Sequence, residues 1–101
     1  MRMLMNVKLP AQPFNAAVKD GSIGSKLSRI LEATKPEAAY FTEQNAQRGA
    51  VLIVDIPDPS KIPSFAEPWY LAFQADIEFR VVISPDELKK AALDELGKKW
   101  S

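Results

Sequence analysis

The sequence predicts an α+β fold in which a four-stranded antiparallel sheet carries helices on one face, with an extra C-terminal helix. The first observation is the segment from Gly49 to Pro57, whose apolar, largely β-branched residues are typical of a strand buried on both faces. The second is the period-2 alternation of residues 2–9 and 75–83, which is typical of half-buried strands. The third is the order of elements: strand, helix, strand, strand, helix, strand, helix. The ferredoxin-like βαββαβ arrangement produces that order through right-handed crossovers, and its central strands are the first and third.

A strand and a crossover helix open the chain. The strand at residues 2–9 ends before Pro10. The helix begins at Pro13, where a missing N–H costs nothing, and it ends before Pro36, because the residue preceding a proline is pushed out of the helical region. Residues 20–24, Asp-Gly-Ser-Ile-Gly, should break or kink this helix. They are glycine-rich, but they follow a helix rather than a strand and lack the lysine of a phosphate-binding loop.

A hairpin follows the crossover helix. Aromatic and β-branched residues predict a second strand over Ala38–Gln44, and residues 45–49 form a five-residue polar loop. The third strand covers residues 50–56. We expect it to be an inner strand paired with both the first and the second, because so apolar a segment at a sheet edge would promote aggregation.

A second helix, capped by Ser60, should run to Phe73. Pro68 should kink this helix or split it into two short pieces, because an internal proline removes a backbone hydrogen bond and clashes with the preceding turn. Trp69 and Tyr70 follow the proline. They could line the mouth of a ligand pocket, or they could pack into the core as aromatic residues of short helices usually do.

The fourth strand covers residues 75–83 and leads into the last helix. Residues 84–87, Ser-Pro-Asp-Glu, form a capping box with a proline at the first helical position and acidic residues at the positive end of the helix dipole. The apolar residues at helical spacing predict a buried stripe, and the lysines between them predict a solvated face. The stripe consists of Leu88, Ala91, Ala92, Leu96 and Trp100.

Length and charge limit the classes of protein to consider. The chain of 101 residues suffices for a single domain, residues 1–101, but not for two. Thirteen basic residues balance thirteen acidic ones, so there is no net field to attract nucleic acid or an anionic membrane. No apolar run is long enough to cross a bilayer, and residues 1–5 are not followed by the apolar region of a signal peptide. We therefore expect a soluble, cytoplasmic protein with no nucleic-acid or membrane partner.

The absence of Cys and His from the sequence excludes several chemistries. Without Cys there is no disulfide, zinc-thiolate site or thiol nucleophile. Without His, the usual general base and first-row metal ligand at neutral pH is missing. Any catalysis would rest on Asp, Glu, Lys, Tyr or Arg, or on a bound cofactor, and we expect neither a metal nor a cofactor.

Alternation along the strands places polar residues on the sheet face away from the helices. Treating the first and third strands as parallel neighbours brings Lys8 level with Asp55, and a five-residue hairpin loop puts Tyr40 roughly opposite Asp55. Glu78 then lies near Asn6 and Lys8. A slip of one residue would move a strand's side chains to the other face. With the tryptophan after the proline included, the candidate ligand-binding residues are Asn6, Lys8, Tyr40, Asp55, Trp69, Glu78 and Arg80.

This polar face has two interpretations. It could be a charge-paired pocket in which Lys8 beside two carboxylates binds or protonates a small oxygen-rich ligand, with Tyr40 and Arg80 orienting it. It could equally consist of cross-strand ion pairs on a sheet face that is wet or buried in a dimer.

Taken together, several segments resemble small uncharacterised bacterial proteins of the dimeric α/β-barrel group. They are residues 35–41 (Lys-Pro-Glu-Ala-Ala-Tyr-Phe), Glu67-Pro68 before an alternating strand, and residues 84–88. The resemblance implies a ferredoxin-like fold and a homodimer whose two sheets face each other around a barrel that can hold a ligand. That group includes muconolactone isomerases, cofactor-free monooxygenases and haem proteins, of which the haem proteins usually require a His.

Two hypotheses for function follow. One is a small-molecule binding protein or cofactor-free enzyme, isomerase-like or monooxygenase-like, that holds a small organic ligand inside a homodimeric barrel. The alternative is a non-catalytic homodimeric structural or regulatory module. An open cavity between the sheets favours the first hypothesis, and a filled one favours the second.

Overall fold

The computed structural model describes residues 1–101 and contains one sheet. Its elements are β1 Arg2–Lys8, α1 Ala11–Lys19, α2 Ile23–Thr34, β2 Ala38–Gln44, β3 Gln47–Asp55, a 3-10 turn Pro59–Lys61, α3 Ile62–Phe73, β4 Asp76–Val81, α4 Pro85–Lys90 and α5 Leu93–Lys99. The strand order is β2-β3-β1-β4, and every neighbouring pair is antiparallel. The predicted α+β, ferredoxin-like fold is confirmed, with β3 as an inner strand between β1 and β2.

The relative direction of β1 and β3 differs from the sequence prediction. The two strands are antiparallel, with Arg2 opposite Asp55 and Lys8 opposite Gly49. A helical crossover returns the chain so that β1 and β2 run in the same direction, and the strand between them must therefore oppose both. The division of residues between the two sheet faces is unaffected, but the residues that come level across the sheet change.

The hairpin between β2 and β3 is tighter than predicted. Gln44 pairs directly with Gln47, which leaves a turn of two residues, Asn45 and Ala46. Both have positive φ, at 52° and 62°, as a type I′ turn requires. Asn tolerates this left-handed region better than most residues, and the turn's twist matches that of the flanking strands.

The two predicted helix interruptions have different outcomes. The crossover helix is broken at Gly21 (φ 80°), as expected, and the Asp20 carboxylate accepts a hydrogen bond from the Ser22 N–H at 2.8 Å. In contrast, α3 continues through Pro68 as one helix, so the expected split into two short pieces is wrong. Trp69 and Phe73 lie buried on the same helix. Burying two such side chains, at about 1.5–3 kcal/mol each, offsets the roughly 3 kcal/mol cost of an internal proline. The cap before α3 also differs, since the Asp58 side chain rather than Ser60 accepts the capping bond.

The core lies between the sheet and helices α1, α2 and α3. Alternate residues of β1 and β3 enter it, together with aromatic residues of the helices. The Phe73 ring centroid lies 5.5 Å from that of Phe14 and 6.1 Å from that of Trp69. The opposite side of the sheet, which we call the open face, carries no helix, and its central residues are only half-buried.

The C-terminal arm, residues 84–101, departs most from expectation. The predicted capping box is present, with Ser84 and Glu87 bonded reciprocally. The predicted buried stripe is wrong, because every residue from Pro85 to Ser101 is exposed and Trp100 retains 77% of its accessible surface. The radius of gyration is 17.1 Å, whereas a compact chain of this length has about 13 Å. The amphipathic pattern correctly indicates a face that needs covering, but this chain alone does not cover it.

Candidate functional site on the open face

The centre of the open face is apolar. Leu4 lies opposite Ile53, and Val51 lies between Asn6 and Tyr40 on the neighbouring strands. Leu4, Val51 and Ile53 are half-buried by their neighbours although nothing lies above them. Because a single chain leaves them partly exposed to solvent, these three residues form an apolar floor that a second layer could cover.

An amide pair lies next to this floor. The Asn6 Nδ2 group donates to Gln44 Oε1 at 3.3 Å, and the Gln44 Nε2 group donates to Asn6 Oδ1 at 2.5 Å. Both side chains are half-buried. Each amide keeps a further N–H and an acceptor lone pair, so the pair can still bind polar atoms of a ligand.

Charged residues surround the floor on the β1 and β4 side. Lys8 lies opposite Asp76, Asn6 opposite Glu78, and Leu4 opposite Arg80. The expectation that Glu78 lies near Asn6 is confirmed. The ion pairs of this chain involve the N-terminus and Arg2 instead, so the charged atoms of Lys8, Glu78 and Arg80 are more than 4 Å from any opposite charge. These groups are available to a ligand or to a second chain.

Asp55 does not belong to this group, which corrects the predicted pairing with Lys8. Lys8 is opposite Gly49, and Asp55 lies six residues further along β3, about 20 Å away. Asp55 accepts a bond from the Met1 ammonium at 3.0 Å. Tyr40 is opposite Val51 rather than Asp55, and it is 71% exposed on the edge strand. It therefore flanks the apolar floor and can contribute a ring and a hydroxyl.

Trp69 is a core residue and not part of the site. It is fully buried beneath the sheet, on the side opposite Asn6 and Lys8. Its indole Nε1 has no hydrogen-bond partner. Of the two interpretations of this tryptophan, the structure supports packing into the core. Tyr70, the next residue, is 38% exposed on α3.

Sequence reasoning missed two members of the site, Gln44 and Asp76. The sequence places Gln44 in the second strand, but the five-residue loop predicted after it gives the wrong pairing with the third strand and so does not bring Gln44 beside Asn6. A two-residue turn beginning at Asn45 would have revealed it, since Asn often occupies the first position of such turns. Asp76 lies directly opposite Lys8 at the start of β4. Because β1 and β4 are antiparallel and Glu78 lies opposite Asn6, the residue opposite Lys8 is two positions before Glu78, which is Asp76.

Arg2, the first residue of β1, lies at one end of the open face. Its guanidinium binds the Glu37 carboxylate at 3.0 and 3.1 Å and the Glu87 carboxylate at 3.5 Å. Hydrogen bonds from the backbone N–H and side chain of Ser84 are the main cause of a lowered pKa for Glu87, and Arg2 adds to it. Arg2 thus connects the rim of the open face to the first turn of the C-terminal arm.

The surface concavities of the chain lie away from the candidate residues. One lies between α2 and α3, one beside the hairpin turn and α1, and one between α4 and α5. No cluster of three carboxylates that could hold a metal ion is present. None of the helices is long and apolar enough to span a membrane. The open face of one chain is therefore a surface rather than a pocket, and enclosing a ligand there requires a second layer.

Comparison with known proteins extends the description of the fold. No protein-family model matches the chain, and no curated protein is similar to it in sequence. Among solved structures, it is similar to 5-chloro-2-hydroxyhydroquinone dehydrochlorinase from Burkholderia phenoliruptrix AC1100, in complex with 2,5-dihydroxybenzoquinone. The TM-score is 0.63 at 17% identity, and the match covers 86% of this chain and 98% of the other. At that identity the likeness establishes a shared fold.

Proposed function

We propose that this protein is a homodimer that binds a small organic molecule between two apposed open faces, as a binding protein or a cofactor-free enzyme. The observation that carries the proposal is the half-buried apolar floor of Leu4, Val51 and Ile53, bordered by the Asn6–Gln44 amide pair and uncovered by its own chain. Covering apolar surface is favourable by roughly 25 cal/mol per Å² before the cost of association. A second copy of the chain brings the same apolar floor and the same charged residues to the interface.

The chemistry of the face favours a flat ring bearing oxygen substituents. An apolar floor accepts a ring, the amide pair offers donors and acceptors, and Lys8 and Arg80 can neutralise a phenolate oxygen or donate hydrogen bonds to a quinone oxygen. Glu78, opposite Asn6, lies where it could move a proton. The 2,5-dihydroxybenzoquinone bound by the dehydrochlorinase of similar fold belongs to this ligand class. We carry that class over as part of the proposal.

The alternative is a non-catalytic homodimeric structural or regulatory module. One observation favours it: the amides of Asn6 and Gln44 bond to each other, so these two residues could serve only to stabilise the sheet. In that case the two faces would interdigitate and leave no lumen. The two proposals therefore agree on the dimer and differ on the cavity.

The experiment combines light scattering with calorimetric titration of 2,5-dihydroxybenzoquinone, using benzoate as a comparison ring with a single acidic group. The proposal expects a dimer that binds the quinone. A ligand at about a hundred times its dissociation constant should raise stability by roughly 2.7 kcal/mol. A dimer that binds neither ring at millimolar concentration would favour the module, and a monomer at high micromolar concentration would refute both.

Asn6→Leu is the informative variant for this titration, because it fills the same volume and removes the amide contact to Gln44. Thr34→Val, a half-buried change on α2 beyond the open face, is the matched control. The proposal expects Asn6→Leu to weaken quinone binding about two- to tenfold, since a lost hydrogen bond to a polar ligand group costs roughly 0.5–1.5 kcal/mol. Equal binding by both variants would exclude the amide pair from the site.

A further inference from the structure

The C-terminal arm exposes an apolar face that its own chain does not cover. Leu88, Leu93 and Leu96 are 45%, 54% and 43% exposed, and Trp100 is 77% exposed. Single exposed leucines are ordinary, but four large apolar residues within thirteen positions form a patch, and such patches mark contact surfaces.

The conformation of the arm also requires support. Its helices α4 and α5 have only six and seven residues, and isolated helices of that length are not stable in water. Between them Ala92 adopts a left-handed conformation at φ 55°, which costs an L-residue roughly 1–2 kcal/mol. Strained backbone persists where surrounding contacts hold it. Every residue from Pro85 to Ser101 is exposed, so a single chain buries none of the arm around this residue, and the ion pair of Arg2 with Glu87 reaches only the first turn of the arm.

The place where the arm starts indicates what covers it. Arg2 alternates with buried Met3 along β1, so its side chain lies on the open-face side of the sheet, where it binds Glu87 in the first turn of the arm. The arm therefore begins at the rim of the open face and extends beyond the sheet, which gives the chain its 60 Å length. A second copy that covers the open face therefore lies next to the start of the arm.

The area of the open face also favours a second copy of this chain as the layer that covers the arm. A four-stranded sheet with seven-residue strands has a face of roughly 19 by 23 Å, a footprint of about 440 Å². A stable interface buries about 800 Å² on each partner. A flat footprint is smaller than the accessible surface of the side chains on it, but the sheet is still small for an interface of that size, and an arm with four large exposed apolar side chains adds contact area.

We propose that the C-terminal arm of each chain packs its apolar residues Leu88, Leu93, Leu96 and Trp100 against the second copy, beside the open face. This inference rests on the homodimer of the proposed function. Because such a contact is isologous, each chain both gives and receives an arm. The notch between α4 and α5, lined by Leu88, Ala92 and Leu93, accepts side chains of the partner. The arm thus closes one end of the space between the sheets.

Trp100 is a direct reporter, since the chain has only two tryptophans and the other, Trp69, is buried in the core. In Trp69→Phe protein, acrylamide quenching should be at least threefold weaker in the dimer than in N-acetyltryptophanamide, and it should rise on dilution to monomer. A dimer by light scattering whose Trp100 is quenched as freely as the free amide overturns this inference and leaves the proposed function intact. A monomer at every concentration overturns both.

A second pair of variants keeps the test valid if Trp69→Phe does not fold. Leu96→Asp alters the arm, and Leu71→Asp alters an 81% exposed leucine of α3 on the helix side of the sheet. Leu96→Asp should raise the dimer dissociation constant at least tenfold, and Leu71→Asp should leave it within about twofold. An unchanged constant for Leu96→Asp, as expected for an arm that folds onto its own chain or contacts another partner, overturns the inference.

Discussion

The side chain of Gln44 reaches Asn6 across the strand that separates them, and it passes over Gly49. A Cβ atom at position 49 would lie 3.4 Å from Gln44 Nε2 and 3.1 Å from the Val7 carbonyl oxygen. The tight approach is to the Val7 carbonyl oxygen, whereas the Gln44 amide, whose shorter bond to Asn6 is 2.5 Å, would meet the added carbon at an ordinary contact distance. Gly49 is buried between β1 and β2 near the hairpin end of β3, and its φ is not in the left-handed region, so space rather than backbone freedom explains the glycine.

Gly49→Ala should destabilise the protein by about 1–3 kcal/mol, because an added methyl group meets a backbone oxygen that the sheet holds in place. Denaturant unfolding measures the change. Gly24→Ala is the control: nothing lies within 4 Å of its Cβ position in α2, and alanine in a helix should stabilise by roughly 0.5–1 kcal/mol. A Gly49→Ala protein as stable as its parent would mean that the sheet yields at this point.

Lys8→Met should change the free energy of unfolding by no more than about 0.5 kcal/mol, because the ammonium group makes no ion pair in this chain. Binding of a phenolate or quinone ligand should weaken at least tenfold, since hydrogen bonds to charged groups contribute about 1.5–3 kcal/mol. Lys61→Met, at an exposed position before α3, is the matched control. A large loss of stability in Lys8→Met would reveal an ion pair, and unchanged binding would remove Lys8 from the site.

The fold could be predicted from the sequence because alternation and helical period report directly on which side of an element is buried. The central position of β3 followed from the apolar run between Gly49 and Pro57. The alignment of residues between neighbouring strands was harder to predict from the sequence. Face assignment depends only on alternation, whereas the distance between Lys8 and Asp55 depends on strand direction, and treating β1 and β3 as parallel misplaced Asp55 by the length of the strand.

Two further errors have a common cause, namely that local patterns do not identify the contacting surface. The proline rule predicted a kink or a split in α3, yet the helix is not split, and burial of Trp69 and Phe73 maintains it. The amphipathic pattern predicted that Leu96 and Trp100 would be buried within the chain, and they are exposed. In both cases the deciding energy lies in tertiary or quaternary contacts, which a single segment does not encode.

Trp69→Phe should cost only about 1 kcal/mol, whereas Trp69→Ala should cost about 3–5 kcal/mol. The indole Nε1 is buried without a hydrogen-bond partner, so its removal relieves an unsatisfied donor and partly offsets the lost contacts. Thermal and denaturant unfolding give both values. Equal losses for the two variants would show that Nε1 has a partner in solution, such as a buried water.

The first turn of the arm should respond to pH through Glu87. The lowered pKa of this carboxyl, caused first by its hydrogen bonds with Ser84, means that the charged form is favoured by folding. Its contribution is therefore present above the ordinary carboxyl pKa and is lost as pH falls through the lowered one. Ser84→Ala keeps the backbone N–H bond, which is the first cause, and removes the side-chain contribution, so it should shift the NMR titration midpoint of Glu87 part of the way upward. Ser25→Ala, in α2, should leave the midpoint unchanged. A midpoint unaffected by Ser84→Ala would contradict the side-chain contribution.

The tight turn at Asn45 and Ala46 has a consequence for the order of folding. It joins two strands that are adjacent in sequence, so β2 and β3 can pair after closing a loop of two residues, whereas β1 must close a loop of about forty residues to reach β3. Hairpins form within microseconds, and contacts distant in sequence form later. We expect pulsed hydrogen exchange during refolding to protect amides of Ala38–Gln44 and Gln47–Asp55 before those of Arg2–Lys8. The strand that carries Asn6 and Lys8 would then be the last central strand to join the sheet.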